Sequence, residues 1–411
     1  MSELLEGLFR ESAGSLVSIL TRTLGARHLD LAEECVQDAL IKAMEKWPFH
    51  GIPENPRGWL LQAARNRAID VLRRERRMVA APEIVAGLEA MTVAGSGQVD
   101  DELGMVFLCC HPALGREAQV ALILKTVGGL GVSEIARAYL VADATIAQRL
   151  VRAKAKLREV QAEFDLPQAM ADVASRIESV MEALYLLYNE GYSICAPEFS
   201  EEAIRLARLL VRNPATALPQ AHALLSLMLL QSARDGARMS DAGGLVVLRK
   251  QDRSLWNRER VTEGVHHLDL AGHGGALTRY HLEAVIASVH ASAKRWEDTD
   301  WGKICTFYEA LEAVHPTPVV RLNRAVAVAQ HLGPIAGLDL LDQQVAEELR
   351  GYSPYYAVMG HLLEQAGQTD EAANYFLRAS EVARTGVERS FFEQRARGNV
   401  GDFLRTVTVI H

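Results

Sequence analysis

The segment from Asn55 to Arg77 concentrates side chains that can donate several hydrogen bonds at once. It holds seven Arg against two acidic residues, Asp70 and Glu75, with Asn and Gln beside them. Guanidinium groups bind phosphates, and Arg, Asn and Gln can read the edges of bases. A solvated charged face would normally mix Lys, Glu and Arg. The composition of this segment therefore favours contact with a nucleic acid.

Helical spacing accounts for how these side chains would be positioned. An apolar stripe consists of Leu61, Ala64, Ala68, Val71 and Leu72. Because each residue of a helix turns by about 100°, a second group falls within about a third of the circumference on another face. That group is Gln62, Arg65, Asn66, Arg73 and Arg76. The pattern predicts an amphipathic helix that buries one side and uses Arg65, Asn66, Arg73 and Arg76 to bind DNA.

A second basic helix is predicted near the end of the block Asp101–Glu163, in the sequence VSEIARAYLVADATIAQRLVRAKAKL. Ser133–Tyr139 predicts a short helix, followed by a turn and a helix capped by Asp143. The second helix would bury Ile146, Leu150, Ala153 and Leu157 and expose Thr145, Gln148, Arg149, Arg152 and Lys156. This order is typical of a helix-turn-helix, whose second helix enters the major groove. Leu140 replaces the glycine often found in such turns.

An acidic helix is predicted ahead of both basic helices in the chain, in the sequence DLAEECVQDALIKAMEKW, with a cap at Asp30. Its core face consists of Cys35, Val36, Ala39, Leu40, Ala43 and Trp47. The opposite face shows Glu34, Gln37, Asp38 and Glu45 around Ile41. A solvated face would explain the charges but not Ile41. The pattern therefore predicts a protein-docking surface.

The charge distribution of the 411-residue chain is compatible with DNA-binding helices in its N-terminal part. The net charge is −8, but residues 1–162 hold 20 basic and 20 acidic side chains, so the excess lies in residues 163–411. Local patches, not the total charge, set the affinity for nucleic acid. No segment has the length of a membrane span and the N-terminus lacks the pattern of a signal peptide, so we expect a cytoplasmic protein without membrane contact.

The five cysteines and the histidines predict neither a disulfide framework nor a metal site. Cys109-Cys110-His111 is a local cluster without a second pair at zinc spacing, so buried thiols are the preferred interpretation. His266, His267, His273 and His281 stand without partnered acids or a nucleophile motif. We therefore expect no cofactor and no enzymatic activity.

The rest of the chain is predicted to be helical as well. Residues 79–100 are small, include Pro82 and Gly95-Ser96-Gly97, and predict a linker, and Asp165-Leu166-Pro167 predicts a second boundary. Near the C-terminus, Tyr356, Gly360, Ala372, Phe376 and Ala379 fit the spacing of a tetratricopeptide repeat. Tyr308 and Leu311 stand 68 residues before Phe376 and Ala379, which is two periods of 34, and Pro316 fits the terminal proline. The intermediate copy around Leu322, Ala325, Val326 and Leu338 is degenerate, and alanine-rich hairpins can drift into this pattern.

Together these features resemble the extracytoplasmic-function (group IV) sigma factors of RNA polymerase over about residues 5–162. The shared motifs are DLAEECVQDAL, WLLQAARNRAIDVLRR, EIA before the turn, and TIAQRLVRA after it. LCCHPAL, the YLLYNEGY segment at Tyr185–Tyr192 and the helical tail resemble a subgroup with a tetratricopeptide-like C-terminal extension.

The resemblance implies an all-α protein of two small helical sigma domains and a helical-repeat domain. The implied divisions are residues 1–78 (sigma region 2), 79–100 (linker), 101–163 (sigma region 4 with the helix-turn-helix) and 164–411 (regulatory extension). The linker would run along the polymerase toward the RNA exit path. The implied partners are promoter DNA and core RNA polymerase, through the β′ clamp helices and the β flap.

The resemblance also implies roles for single residues. Glu34, Gln37, Asp38 and Ile41 would meet the β′ clamp helices. Asn66, with Arg65 and the loop from Phe49 to Asn55, would read the −10 element and hold a base flipped from the strand, and Trp59 would brace that loop or join the core. Lys125, Gln148, Arg149 and Arg152 would contact the −35 element.

Two other interpretations remain open from the sequence. The chain could be a helix-turn-helix regulator with a helical sensor domain that acts without polymerase, or a tetratricopeptide scaffold. Under the sigma interpretation, the extension is expected to regulate the sigma domains in cis, by restraint or by assistance, and to offer a groove to a peptide or protein. Leu184–Tyr192 is the candidate contact segment.

Overall fold

The protein is built from helices alone over the residues that the computed structural model describes. These are residues 2–75, 82–90, 98–139, 141–164, 170–193, 197–238, 246, 248–383 and 386–398. No strand occurs within these ranges, which confirms the all-α prediction. The chain divides into two compact units, Met1–Ala217 and Leu218–His411. None of the described helices is long and apolar enough to cross a membrane.

The first unit contains three long helices, then four shorter ones, then three longer ones, within the described residues. They are α1 (Ser2–Leu24), α2 (Leu29–His50), α3 (Pro56–Glu75), α4 (Pro82–Ala90), α5 (Gln98–Cys109), α6 (Arg116–Thr126), α7 (Val132–Ala138), α8 (Asp143–Glu159), α9 (Met170–Ser193) and α10 (Pro197–Arg212), with a 3₁₀ turn at Ala26–His28.

Helix α3 has the amphipathic form that its sequence predicts. Leu61, Ala64, Ala68 and Leu72 are buried and Val71 is half-buried, with Leu60 and Ile69 joining the buried set. The helix begins where Asn55 Oδ1 accepts a hydrogen bond of 2.9 Å from the backbone of Gly58, with Pro56 in the first turn. Trp59 packs edge-on against buried Trp47, with ring centroids 5.5 Å apart. Trp59 thus joins the start of α3 to the end of α2.

Two predicted helix caps are wrong. α2 begins at Leu29 with His28 at the N-cap position, and α8 is preceded by Ala142 in an extended conformation. Asp30 and Asp143 therefore lie inside the first turns of their helices. Asp30 binds cations from α8, and Asp143 accepts a hydrogen bond from Ser133. Both carboxylates still lie near the positive ends of their helix dipoles.

A helix occupies the middle of the predicted linker. Pro82–Ala90 forms α4, whose Val85 and Leu88 are buried while the helix packs against α1 and α3. Arg73 Nη2 also binds Glu89 Oε1 at 2.8 Å. The sequence did not predict this helix, because its buried apolar residues, Val85 and Leu88, are a single pair three residues apart among small residues. α5 then starts at Gln98, before the predicted domain start at Asp101, and residues 79–81 and 91–97 lie outside the described ranges.

The predicted boundary after residue 163 falls between helices of the same unit. α9 packs against α5, α6 and α10. Arg176 Nη2 donates to the Phe107 carbonyl at 2.7 Å, and Arg116 of α6 forms an ion pair with Glu182. Arg205 of α10 binds buried Glu102 of α5 at 2.6 Å. The proline signal at Asp165-Leu166-Pro167 lies outside the described residues, but the helices that follow it complete the first unit.

The second unit is a succession of helices that pack on their neighbours in the chain. They are α11 (Pro219–Ser232), α12 (Arg258–Ala271), α13 (Arg279–Ser292), α14 (Trp301–Val314), α15 (Pro318–Leu332), α16 (Pro334–Leu338), α17 (Gln343–Glu348), α18 (Ser353–Gln365), α19 (Thr369–Glu381) and α20 (Gly386–Ala396). Short 3₁₀ turns occur at Asp235–Ala237, Leu248–Lys250, Arg253–Leu255 and Trp296–Asp298.

The helical residues of the two clearer repeat copies lie in α14, α18 and α19, and the degenerate intermediate copy lies in α15 and α16. Ala372, Phe376 and Ala379 are buried. A Cβ atom at Gly360 would lie 2.8 Å from the Phe376 ring, so only glycine allows α18 to approach α19 this closely. Tyr308 and Leu311 of α14 are buried in the same way. The pattern therefore marks helix-packing positions.

Candidate nucleic-acid interface

The polar face of α3 carries Asn66 at its exposed centre. The Gln62 amide donates a hydrogen bond of 3.0 Å to Asn66 Oδ1, which fixes the orientation of the Asn66 side chain. Arg65 is half-buried beside it, and exposed Arg73 is held by Glu89. Arg76 lies outside the described residues. The face thus offers an oriented amide flanked by cations, which suits a base edge next to phosphates.

The end of α2 and the segment before α3 expose apolar side chains. Phe49 belongs to the last turn of α2 and is 85% exposed, and Ile52 is 40% exposed. An exposed aromatic ring can stack on an unpaired base, whose faces are apolar. The sequence predicts a loop from Phe49 onward, but the helix continues to His50.

The outward face of α8 has three open polar residues. Thr145, Gln148 and Arg152 are exposed, as predicted for a helix that reads DNA. Lys156 is half-buried and pairs with Glu159 at 2.8 Å. Lys125, in the last turn of α6, is also half-buried.

Arg149 has a different environment from the other predicted DNA-binding residues. Its guanidinium lies over the Tyr139 ring, 5.7 Å from the centroid, and pairs with Glu117 of α6 at 2.5 Å. Its side chain is only 21% exposed. Arg149 therefore ties α8 to α6 and to the end of α7 in addition to any contact with DNA.

Two basic residues of α8 that the sequence analysis did not single out bind α2. Lys154 Nζ lies 2.8 Å from Asp30 Oδ1 and 2.5 Å from Glu33 Oε2, and Arg158 lies 2.5 Å from Asp30 Oδ2. Burial alone would lower the pKa of Lys154, but the two carboxylates outweigh it and hold that pKa above its ordinary value. Burial likewise opposes ionisation of Asp30, but Lys154 and Arg158 hold its pKa below the ordinary value. We call this set of four residues the α2–α8 latch.

The predicted docking face of α2 is largely open. Glu34 and Gln37 are exposed, and Ile41 is 41% exposed. Met44, which the sequence analysis missed, is 52% exposed one turn further on and extends the apolar centre. Asp38 is half-buried, because Arg67 of α3 donates to its Oδ2 at 2.6 Å.

The described residues contain no group of three or more His, Cys, Asp or Glu side chains that could hold a metal ion. Cys109 and Cys110 are buried, and burial raises the pKa of Cys109 to about 12. The thiolate form that a metal requires is thus disfavoured at neutral pH. His267 Nδ1 lies 2.9 Å from His222 Nδ1, and His281 accepts a hydrogen bond from the backbone of Thr278.

A cavity in the second unit bears on the idea of a small-molecule sensor. It leaves about 20 Å³ for the centres of water-sized molecules, which suffices for one or two waters. Its lining consists of Leu230, Gln231, Arg234, Leu248, Trp256, Ala287 and His290. A cavity of this size does not support a bound metabolite.

Comparison with known proteins assigns the first domain. Residues 8–78 match sigma-70 region 2, and residues 176–272 match a family of unknown function, DUF6596. An uncharacterised protein of Rhizobium meliloti (strain 1021) is 40% identical over 401 residues, which cover 93% of this chain and 94% of that protein. No solved structure matches the chain.

The chain belongs to the same family as the Rhizobium meliloti protein, and it contains a sigma-70 region 2 domain at residues 8–78, which supports a sigma-70 family factor. The region spans α2 and α3, which carry the open acidic face and the oriented Asn66. Sigma-70 region 2 implies a role in transcription initiation with core RNA polymerase and promoter DNA as partners.

Proposed function

We propose that the protein is an alternative sigma factor of the extracytoplasmic-function (group IV) type. It binds core RNA polymerase through Glu34, Gln37, Asp38 and Ile41 of α2 and reads the −10 element with Arg65 and Asn66 of α3. α7 and α8 act as a helix-turn-helix that reads the −35 element. The observation that carries this proposal is the open α2 face, with an apolar centre at Ile41 and Met44, next to Asn66 on the adjoining helix.

Opening of the promoter follows from the kind of contact that α3 offers. Without nucleotide hydrolysis, an opened strand must be captured by favourable contacts. Extruding a base costs a few kcal/mol, which stacking and hydrogen bonds in a pocket can offset. Phe49 supplies an exposed ring and Asn66 an oriented amide for such a base. Arg side chains along α3 add phosphate binding that depends on salt.

Reading both promoter elements at once requires the first unit to open. The −10 and −35 elements are separated by about 25 base pairs, or about 85 Å at 3.4 Å per pair. The latch holds α8 against α2 with ion pairs of 2.5–2.8 Å. A compact unit of this length is about 45 Å across. The latch must therefore break when the two helices occupy their promoter elements.

The C-terminal extension is proposed to regulate the sigma domains in cis, with a tetratricopeptide-like surface for a peptide or protein partner. Support comes from α9, the start of the DUF6596 match, which packs on α5 and α6. Tyr188, within the candidate segment Leu184–Tyr192 of α9, is fully buried. Arg176 and Glu182 of α9 make polar contacts with Phe107 of α5 and Arg116 of α6. The extension thus shares its core with the helices next to α7 and α8.

The docking assignment is tested by reversing the chemistry of the α2 face. The double variant Asp38→Arg, Ile41→Arg should no longer co-purify with core polymerase. Its circular dichroism spectrum should remain that of the wild type. Glu371→Arg, an exposed charge reversal on α19, serves as the matched control. Wild-type affinity of the double variant would reject docking through α2. It would also favour a helix-turn-helix regulator that acts without polymerase.

A further inference from the structure

Arg67 links the docking helix to the base-reading helix. It lies on α3, one residue after Asn66, but its guanidinium reaches back to α2. Its Nε donates to Asp38 Oδ2 at 2.6 Å, and its Nη2 lies 3.6 Å from Glu34 Oε1. Arg67 lies outside the polar stripe that helical spacing predicts for α3, so the sequence alone suggests no role for it.

The two carboxylates that Arg67 contacts repel each other. Glu34 and Asp38 are four residues apart on α2, so they face each other one turn apart, and like charges at this spacing repel. A guanidinium that reaches both carboxylates opposes this repulsion and restricts their rotamers. Cys35 lies between them, but burial raises the pKa of its thiol to about 12, so it adds no charge at neutral pH.

We propose that Arg67 is a positioning residue for polymerase docking, which holds Glu34 and Asp38 in the orientation that the partner surface binds. The inference rests on the proposed docking of α2 to core polymerase. Two acids and one base leave this site with a single negative charge beside exposed Ile41 and Met44. The site fits a partner surface that carries a Lys or Arg next to apolar side chains.

The geometry separates this role from DNA binding. Successive residues of a helix point about 100° apart, so Arg67 and Asn66 face different directions. Asn66 is exposed, whereas the Arg67 side chain is 29% exposed and its Nε is occupied by Asp38. The hydrogen bond to Asp38 also raises the pKa of Arg67 above its ordinary value. Arg67 therefore acts on promoter DNA only through the placement of the polymerase.

A double-mutant cycle on the full-length protein tests the proposal. Arg67→Ala should weaken the affinity for core polymerase by about threefold to tenfold, measured by fluorescence anisotropy. In an Asp38→Ala, Glu34→Ala background the same change should have no further effect, because its targets are absent. Arg67→Lys should recover part of the affinity for core polymerase. It restores the positive charge but not the planar guanidinium, which can bind two carboxylates at once.

Glu89→Gln is the matched control. It breaks an ion pair of 2.8 Å between Glu89 of α4 and Arg73 of α3, but leaves the docking face intact. Its affinity for core polymerase should equal that of the wild type. An equal loss for Glu89→Gln would show that Arg67 contributes only to the stability of the domain, and would overturn the proposal.

Promoter opening at saturating polymerase supplies the second readout. Since Arg67 acts through docking, an excess of core polymerase should restore opening by Arg67→Ala to the wild-type level. If promoter opening by Arg67→Ala stays defective at saturating polymerase, Arg67 contacts DNA directly and the inference is overturned. The same holds if Arg67→Ala has an undiminished effect in the background that lacks both acidic side chains. If Asp38→Ala loses affinity for core polymerase and Arg67→Ala does not, the role of Arg67 is overturned but the docking of α2 is not. Wild-type affinity of both variants would contradict the docking assignment itself.

Discussion

Arg149 and Arg152 lie on the same helix but have different surroundings. Their spacing predicts a shared outward face, and the structure confirms exposure for Arg152 but places Arg149 between Tyr139 and Glu117. Helical periodicity identifies which way a side chain points. It does not identify a partner on another helix, so the contact between Glu117 and Arg149 required the tertiary structure.

Substitution of these two arginines should therefore give different results. Arg152→Ala should weaken binding to a −35 duplex by about 1–3 kcal/mol if it reads a base, or reduce the salt slope if it binds phosphate, with the melting temperature unchanged. Arg149→Ala should lower the melting temperature as well, because it removes both an ion pair and a ring contact. Fluorescence anisotropy and thermal denaturation measure the two effects. Equal melting temperatures for the two variants would contradict this distinction.

At the scale of elements, the amphipathic helices α3 and α8 follow from local sequence, but the latch between α2 and α8 does not. Lys154 and Asp30 are 124 residues apart, and their contact depends on how the helices pack. The short helix α4 also escaped prediction, because its sequence offers only one short apolar pair, Val85 and Leu88, among small residues. Long periodic segments are thus predictable from sequence, whereas ion pairs between them are not.

Breaking the latch should loosen α8 from α2. Lys154→Gln leaves Glu33 without its cation, so energy transfer between dyes at positions 45 and 155 should fall even without polymerase. Glu159→Gln, which breaks the pair with Lys156 on the same helix, is the control. Unchanged energy transfer in Lys154→Gln would show that other contacts hold the two helices together.

The latch should respond to salt but not to pH in the neutral range. The pKa of Asp30 is lowered from 3.8, so its contribution is complete above that value and is lost only as the pH falls below it. The pKa of Lys154 is raised from 10.5, so its contribution is lost only as the pH rises above that value. Energy transfer between the same dyes should therefore stay constant from pH 6 to pH 9 and fall with added salt.

His290 in α13 should make the second unit sensitive to acid. Burial, with Arg234 and Arg253 nearby, lowers the pKa of His290 to about 3. The unfolded state takes up the proton near pH 6.5 and the folded state does not. Folding stability is therefore complete above pH 6.5 and is lost as the pH falls toward 3.

Thermal denaturation measures this effect. Lowering the pH from 7 to 5 should reduce the free energy of unfolding by about 2 kcal/mol through this group. His290→Phe, which retains an aromatic ring next to Trp301, should lose less stability over the same change. An equal loss in the variant would show that other groups bind the protons.

For the whole molecule, the sequence predicts an all-α chain with a basic DNA-reading helix in each of two sigma domains. The boundary predicted after residue 163 lies inside the first compact unit, Met1–Ala217. α9 and α10 lie beyond the predicted boundary and yet bury Tyr188 and bind Glu102 within the first unit. Composition and proline mark breaks between helices. They do not reveal which helices share a core.

Two truncations should consequently behave differently. Ending the chain after Glu163 removes α9 and α10 and exposes the apolar surfaces of α5 and α6, so this variant should aggregate or melt at a lower temperature. Ending it after Ala217 retains those helices and should leave a soluble unit whose transcription differs from that of the full chain. Equal transcription by the Ala217 truncation under resting and inducing conditions would contradict regulation by the extension.

Reconstituted transcription shows whether this chain initiates transcription. The full-length protein, core RNA polymerase and a library of promoters with randomised −10 and −35 elements are combined, and the transcripts are sequenced. The account predicts transcripts from promoters that share a sequence at both elements. It also predicts that Asn66→Ala binds core polymerase normally but opens those promoters poorly. Absence of any protein-dependent transcript, together with absence of a complex with core polymerase, would contradict the claim that this chain initiates transcription.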